Sequence, residues 1–272
     1  NSLSCFQNLE IASALSWLPP YHDMGLVLKI LYAMEAGIPL TLFSPDHFIQ
    51  RPLRWLQAIS KYRAEMSGAP NFAFEACVRA VSDPELQSLD LSCWKAAPCG
   101  AERIRPDTLK RFAKRFAPCG FREEAFLPGY GLAETTLIVT AGKPGKPPRV
   151  TRHPNAGPVV SCGSPLDGNQ IRITDPETGR SLEEWKIGEI RVSGPVVSEG
   201  YWKHESDSCD AFINSELKTG DLGFLADGEL HVTGRIKDLI IIDGLNFAPE
   251  DIESVILENH QQILAAAAFP VD

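Results

Sequence analysis

Four short stretches of this chain collect residue types suited to holding a ligand: Pro19-Pro20-Tyr21-His22-Asp23, Gly68-Ala69-Pro70-Asn71, Cys99-Gly100-Ala101-Glu102 and Gly129-Tyr130-Gly131-Leu132-Ala133-Glu134. Glycine and other small residues let backbone N–H and C=O groups come close to a flat ligand. Tyr130, flanked by two glycines, can offer a ring face to a base. The carboxylate of Glu134 is a hard oxygen donor that suits a cation such as Mg2+. For any one of these stretches, Gly and Pro acting as turn punctuation is the simpler explanation. Four that fall along one sheet edge point instead to a site.

Periodicity gives the elements that must carry them. Apolar strands are expected over residues 14–18, 39–43, 64–67, 95–98 and 124–127. Between them, Asp23 can cap a helix with Leu26, Ile30 and Ala33 on one face, ending near Gly37. Pro52 opens a second helix with Leu53, Leu56 and Ile59 a turn apart. Residues 71–81 form a third, and Pro106-Asp107 opens a fourth carrying Leu109, Phe112 and Phe116. Strands alternating with helices imply an α/β fold, a mainly parallel sheet with flanking helices. Ligands of such sheets sit outside the carboxyl ends of the strands, where the four stretches fall. The aromatics Trp17, Phe72, Phe74 and Trp94 read as core.

Beyond Ala141 the texture changes. Residues 141–158, rich in Gly, Pro and Lys, read as a loop. Short alternating strands follow over 170–174, 189–193 and 229–233, separated by turn residues such as Asp227-Gly228. They imply a small β-barrel-like subdomain. A strand over 239–242 then leads through Asp243-Gly244 to a helix with Pro249 in its first turn and Ile252, Val255 and Ile256 on one face. The expected division is an α/β portion over 1–141, a linker or partial insertion over 142–158, the β subdomain over 159–233, and a hinge with the start of a C-terminal α+β domain over 234–272.

Composition narrows the function class. A formal net charge of −9 without a Lys/Arg block argues against nucleic acid or an anionic membrane surface as partner. The 7 cysteines stand singly with no C-x-x-C pair, which fits a reduced, cytoplasmic protein and neither a disulfide framework nor a zinc site. Lys29 and Glu35 interrupt the longest apolar run, so no membrane span is expected. The chain starts at Asn1 with no signal peptide, and reads as a fragment.

Four motifs name a chemistry: Leu18-Pro19-Pro20-Tyr21-His22-Asp23-Met24-Gly25-Leu26, Tyr130-Gly131-Leu132-Ala133-Glu134, Thr219-Gly220-Asp221-Leu222-Gly223 and Gly234-Arg235-Ile236-Lys237-Asp238. In this order and spacing the chain resembles the adenylate-forming enzymes, which include acyl-CoA synthetases, peptide-synthetase adenylation domains and luciferases. Residues 17–26, Gln50-Arg51-Pro52-Leu53-Arg54-Trp55-Leu56, Ser67-Gly68-Ala69-Pro70-Asn71-Phe72-Ala73, and Ala133 before Glu134 are most similar to the fatty-acyl-AMP ligase branch. The resemblance implies ATP-dependent activation of a fatty acid to acyl-AMP, with transfer to an acyl carrier protein. It implies ATP and Mg2+ as cofactors.

Carried over by motif, the resemblance implies that Gly100, Ala101 and Glu102 line an adenine pocket, with Tyr130 stacking on the base and Gly131 also nucleotide-binding. Asp221 would accept from both ribose hydroxyls, and Arg235 would contact the nucleotide and assist catalysis. Glu134 would be the metal and catalytic carboxylate, and His22 would sit by the acyl carboxylate. Gly68, Ala69, Pro70 and Asn71 would lie near the acyl tunnel, and Lys237 at the hinge. Asp221 also fits a plain turn, Lys237 a solvated charge and His22 an ordinary helix start. Three departures qualify the resemblance. The phosphate loop expected before Trp17 and the C-terminal domain with its catalytic lysine expected beyond Asp272 are absent, and residues 140–161 are short for the branch insertion. The alternatives are an acyl-CoA synthetase that uses coenzyme A and a non-catalytic adenylate-binding module.

Overall fold

The computed structural model describes residues 6, 9–242, 245–260, 262, 263 and 266–269. The expected Asp243-Gly244 turn and Cys5 lie outside the described residues. The first half is built on a parallel sheet. Strand Ala14–Ser16 pairs in parallel with Leu40–Leu42 on one side and bridges Met66 on the other. Met66 in turn bridges Ala96, and Ala97–Cys99 runs parallel to Phe126–Tyr130. Residues 64–67 thus act as a strand reduced to single bridges. Past Tyr130 the direction reverses, with Thr140–Ala141 and Ser164–Pro165 antiparallel. Every residue of Ala14–Ser16 and Ala97–Cys99 is buried, as both-face coverage of a parallel sheet requires.

Three helices supply that cover where periodicity puts them. Leu53–Tyr62 buries Leu53, Leu56 and Ile59, Asn71–Ala80 buries Ala73, Phe74 and Cys77, and Pro106–Phe116 buries Leu109, Phe112 and Phe116. Phe74 is the hub of an aromatic seam, 5.1 Å from Phe112 and 5.2 Å from Phe126, both edge to face. Trp17, Phe74 and Trp94 are core as expected. Phe72 is not, being 48% exposed.

The helix after His22 departs from its expected form. The imidazole Nδ1 of His22 caps it by accepting from the Met24 N–H at 3.1 Å. One α turn over Asp23–Gly25 widens into a π-helix over Leu26–Leu31 and returns to α over Tyr32–Ala36, ending at Gly37 with φ +63°. The wide turns rotate the buried face onto Met24, Leu28, Lys29, Tyr32 and Ala33, while Leu26 and Leu31 face outward. Of the expected Leu26/Ile30/Ala33 face only Ala33 is fully buried.

The second half is antiparallel. Residues 141–158 are not simply loop, because Val150–His153 pairs with Gly157–Val160 as a hairpin. A five-stranded sheet follows in the order Phe212–Ile213, Glu216–Ala226, Gly188–Ser193, Gln170–Thr174, with Glu229–Arg235 also on Glu216–Ala226. The Thr219–Gly223 motif is therefore the middle of an 11-residue strand, not a turn. Asp221 pairs with Arg235 across that ladder, which puts both side chains on one face. A turn carrying the exposed Lys237 leads to the hairpin Ile240–Ile242/Leu245–Phe247 and the helix Pro249–Asn259.

Candidate functional site

Two adjoining cavities open at the carboxyl ends of the parallel strands. The first, about 270 Å³, has an apolar interior including Phe6, Met24, Leu28, Leu127 and Leu137, with His22, Glu134 and Arg235 also on its wall. The second, about 240 Å³, is polar and includes Glu102, Arg103, Asp221, Arg235 and Asp238. Both share Ala101, Gly129, Tyr130, Gly131 and Arg235. Strand Phe126–Tyr130 and the turn after it thus form the partition between an apolar and a polar compartment.

Local backbone chemistry explains why these residues stand there. A Cβ on Gly131 would lie 1.5 Å from the Leu137 carbonyl oxygen, so only glycine allows the chain to fold back on itself. Ala101 has φ +66°, a left-handed conformation costly for a residue with a Cβ, held at the end of a buried strand. Thr136 and Leu137, just after Glu134, also have positive φ, at 62° and 141°.

At the partition the Tyr130 hydroxyl donates to Asp221 Oδ2 at 2.8 Å, and Arg235 Nε donates to Oδ1 at 2.9 Å. Asp221 is only 5% exposed. Burial raises its carboxyl above the ordinary range, and the Tyr130 hydrogen bond and the Arg235 charge pull back against that. Burial, with the Asp221 charge beside it, pushes the Tyr130 phenol well above its usual value, so it stays a donor. Each Asp221 oxygen keeps a further lone pair for a ligand hydroxyl.

Glu134 lies in a short 3-10 turn, Ala133–Thr135, half-buried on the wall of the first cavity. Its Oε1 accepts from the Tyr201 hydroxyl at 2.7 Å. Among the described residues no group of three or more His, Cys, Asp or Glu could cage a metal ion. A lone carboxylate fits Mg2+ only as one oxygen ligand among several that would have to come from elsewhere.

The structure thus brings together His22, Gly100, Ala101, Tyr130, Gly131, Glu134 and Arg235 around one cavity, with Glu102 and Asp221 around the other. It does not bring Gly68, Ala69 or Pro70 to either wall. Gly68 packs on Pro98, whose carbonyl also accepts from Ala69 N–H at 3.0 Å, so this loop backs the Ala97–Cys99 strand. Asn71 instead accepts from Arg105 N–H at 3.0 Å and fixes the chain just past Glu102. Lys237 lines neither cavity. Two residues escaped the sequence reading. Tyr201 follows a glycine in a polar loop and gives no periodic signal. Lys29 read only as a break in an apolar run, yet it is fully buried, its Nζ has no hydrogen-bond partner, and burial lowers it to about 7.

Comparison with known proteins identifies the family. The model of the AMP-binding enzyme family matches residues 3–202. A 4-hydroxyphenylalkanoate adenylyltransferase from Mycobacterium marinum is 41% identical over 95% of this chain and 46% of its own. A medium-chain-fatty-acid–[acyl-carrier-protein] ligase, JamA, from Moorena producens is 40% identical over 95% of this chain and 49% of its own. The crystal structure of a fatty acyl-adenylate ligase from L. pneumophila in complex with acyl adenylate and pyrophosphate superposes with TM-score 0.83 at 39% identity, over 100% of this chain and 53% of that one. The chain therefore spans about half the length of the curated relatives it matches. The M. marinum alignment runs over 287 residues, more than the 272 of this chain, so that relative carries internal residues with no counterpart here.

Proposed function

This chain belongs to the AMP-binding enzyme family, and we propose that it is the central part of a fatty-acyl-AMP ligase. The reaction joins a fatty-acid carboxylate to ATP. A carboxylate oxygen bonds to the α-phosphorus, the bond to the bridging oxygen breaks, and pyrophosphate leaves as acyl-AMP remains. The observation that carries this reading is the pair of adjoining cavities, one apolar and one polar, meeting at Tyr130-Gly131 and Arg235. Acyl-AMP has the same division, an apolar chain and a polar nucleotide joined at one acyl phosphate.

In this reading Gly100, Ala101 and Glu102 hold the adenine edge with Tyr130 beside it, and Asp221 accepts from the ribose. Arg235 keeps the Asp221 carboxylate oriented and adds positive charge at the junction. His22 stands at the acyl carboxylate, and Glu134 holds Mg2+. Bound there, Mg2+ offsets the phosphate charge that would repel the incoming carboxylate. The protein's own contribution is positioning and a preset field. Residues 1–141 and 159–233 then form the catalytic body with the hairpin-bearing segment 142–158 between them, and 234–272 is the hinge at Lys237 and the start of a mobile C-terminal domain.

The acceptor in this reading is the phosphopantetheine thiol of an acyl carrier protein, supported by the name of the Moorena relative. A cytoplasmic setting is supported by free Cys77, Cys93, Cys99, Cys119, Cys162 and Cys209. Among the described residues no helix is long and apolar enough to cross a membrane. The test is product analysis of the whole protein that carries this chain, given ATP, Mg2+, fatty acids of graded length, and either coenzyme A or holo carrier protein. Acyl-AMP and acyl carrier protein with little acyl-CoA are expected. Efficient acyl-CoA formation moves the chain to the coenzyme A ligases, and absence of any adenylate overturns the reading.

A further inference from the structure

The segment from Gly194 to Tyr201 lies across the Glu134 turn and is stitched to it three times. Tyr201 Oη donates to Glu134 Oε1 at 2.7 Å, Ser198 N–H donates to the Glu134 carbonyl at 2.8 Å, and Thr136 Oγ1 donates to the Val196 carbonyl at 3.2 Å. The tyrosine is itself fixed from the far side. Its N–H donates to Ser208 Oγ at 2.8 Å, and its ring meets Phe212 edge to face at 5.4 Å. Glycines at either end, Gly194 with φ +134° and Gly200 with φ +149°, let the segment bend down onto the turn. Among the described residues Glu134 Oε2 has no hydrogen-bond partner, so the phenol divides the carboxylate into one occupied oxygen and one open one.

We propose that Tyr201 is a positioning residue for Glu134: its hydroxyl holds Oε1 and so presents Oε2 to the divalent cation that accompanies the nucleotide. A glutamate on a free turn samples several side-chain rotamers and must give up that freedom when it ligates. A fixed hydrogen bond to the non-ligating oxygen removes that cost in advance, as outer-shell partners of metal ligands do. The phenol is suited to this because its O–H can only donate to a carboxylate oxygen, and its backbone and ring are held in place from the far side. The proposal rests on the reading of Glu134 as the metal-side carboxylate.

The experiment compares Tyr201→Phe, Tyr201→Ala and Glu134→Gln in the whole protein, with two readouts. One is the Mg2+ concentration for half-maximal adenylation. The other is equilibrium binding of Mn2+ to the ATP complex, followed by electron paramagnetic resonance without turnover. Tyr201→Phe keeps the ring against Phe212 and removes only the hydroxyl. It is expected to weaken Mn2+ binding and raise the Mg2+ requirement about tenfold, with the rate at saturating Mg2+ and ATP binding in EDTA unchanged. A shift in Tyr201→Ala but none in Tyr201→Phe overturns the proposal, because packing alone would then explain the residue. Tighter Mn2+ binding in Tyr201→Phe also overturns it, since the phenol would then compete with the cation. If Glu134→Gln itself leaves Mn2+ binding intact, it is the metal reading of Glu134 that fails.

Discussion

Two tyrosine–carboxylate pairs, Tyr130–Asp221 and Tyr201–Glu134, have hydrogen bonds of nearly the same length, 2.8 and 2.7 Å, in opposite surroundings. Asp221 and Tyr130 are 5% and 9% exposed, and Arg235 closes the far side of the carboxylate. Tyr201 is 39% exposed, and its partner Glu134 is only half-buried with one oxygen open. The difference is one of dielectric. In the first pair, removal of either group strands the other away from water, and an unmet buried polar group costs about 1–3 kcal/mol. In the second, water replaces whatever is removed. The buried pair is therefore tied to the fold and the exposed pair is not, so substitutions can separate stability from the proposed chemistry.

The largest effect should come from the exposed pair with no change in stability. Glu134→Gln is expected to slow acyl-AMP formation by roughly 10²–10³-fold, the scale of losing one preorganised charge-stabilising group. Its thermal midpoint should stay near that of the unaltered protein, because a half-exposed turn residue contributes little to folding. Pyrophosphate exchange and calorimetry on the same preparation check both halves. A large loss of stability would erase the contrast between the two corners.

Asp221→Ala should move both quantities. Nucleotide affinity is expected to fall by about 1.5–3 kcal/mol, the range for hydrogen bonds to a charged acceptor. The protein should also lose stability, because the buried Tyr130 hydroxyl loses its acceptor. Discrimination against 2′-deoxy-ATP should shrink in parallel, since the lost contact is one the deoxy nucleotide already lacks. Unchanged ATP affinity in titration calorimetry would remove the ribose role.

Lys29 isolates burial from pairing, since it is fully buried and has no hydrogen-bond partner. Its folded value of about 7 lies below the ordinary 10.5, so between these values the unfolded chain holds a proton that the folded chain has shed. Stability should accordingly rise as pH goes from about 7 towards 10.5, with the full penalty present below 7. Lys29→Met should stabilise the protein by about 2 kcal/mol near pH 6.5, within the range seen when buried charge is replaced by apolar side chains. The gain should fade by pH 10, and denaturant titrations at the two pH values check the sign. A gain that is the same at both would mean that burial does not set the cost.

Lys29 also marks where the sequence ceased to be legible. Helices with three or more apolar residues at regular spacing, such as Leu53/Leu56/Ile59 and Leu109/Phe112/Phe116, could be placed closely, because burial of one face decides them. The helix after His22 could not, because a π-helix shifts the face by an amount no α-helical period contains. The strand carrying Asp221 was missed because Thr219, Gly220 and Asp221 are turn-forming types, and they do make a local irregularity, with Gly220 at φ +71°, inside a strand that pairs with its neighbours on either side of them. Most candidate site residues were legible since they stand in ordered motifs at strand ends. Tyr201 was not, because its contact with Glu134 spans 67 positions.

The smallest expected effect is the most direct test of the two corners against each other: the same substitution, tyrosine to phenylalanine, made at each. Both changes delete one hydroxyl and keep the ring, so side-chain volume and helix or strand preference are held almost constant. At Tyr130 the hydroxyl meets a buried carboxylate whose other oxygen is held by Arg235, and Asp221 keeps that partner when the phenol is lost. Tyr130→Phe should therefore cost about 1 kcal/mol, towards the lower end of the penalty for an unmet buried acceptor. At Tyr201 the carboxylate turns to water, and Tyr201→Phe should change stability by less than about 0.5 kcal/mol. Paired urea titrations resolve the difference if the slope with denaturant is equal in the two variants. Equal losses at both positions would mean that the Gly194–Tyr201 segment is as firmly packed as the strand interior. Tyr201 would then stabilise the fold as Tyr130 does, and a change in metal affinity on its removal would no longer separate positioning from folding.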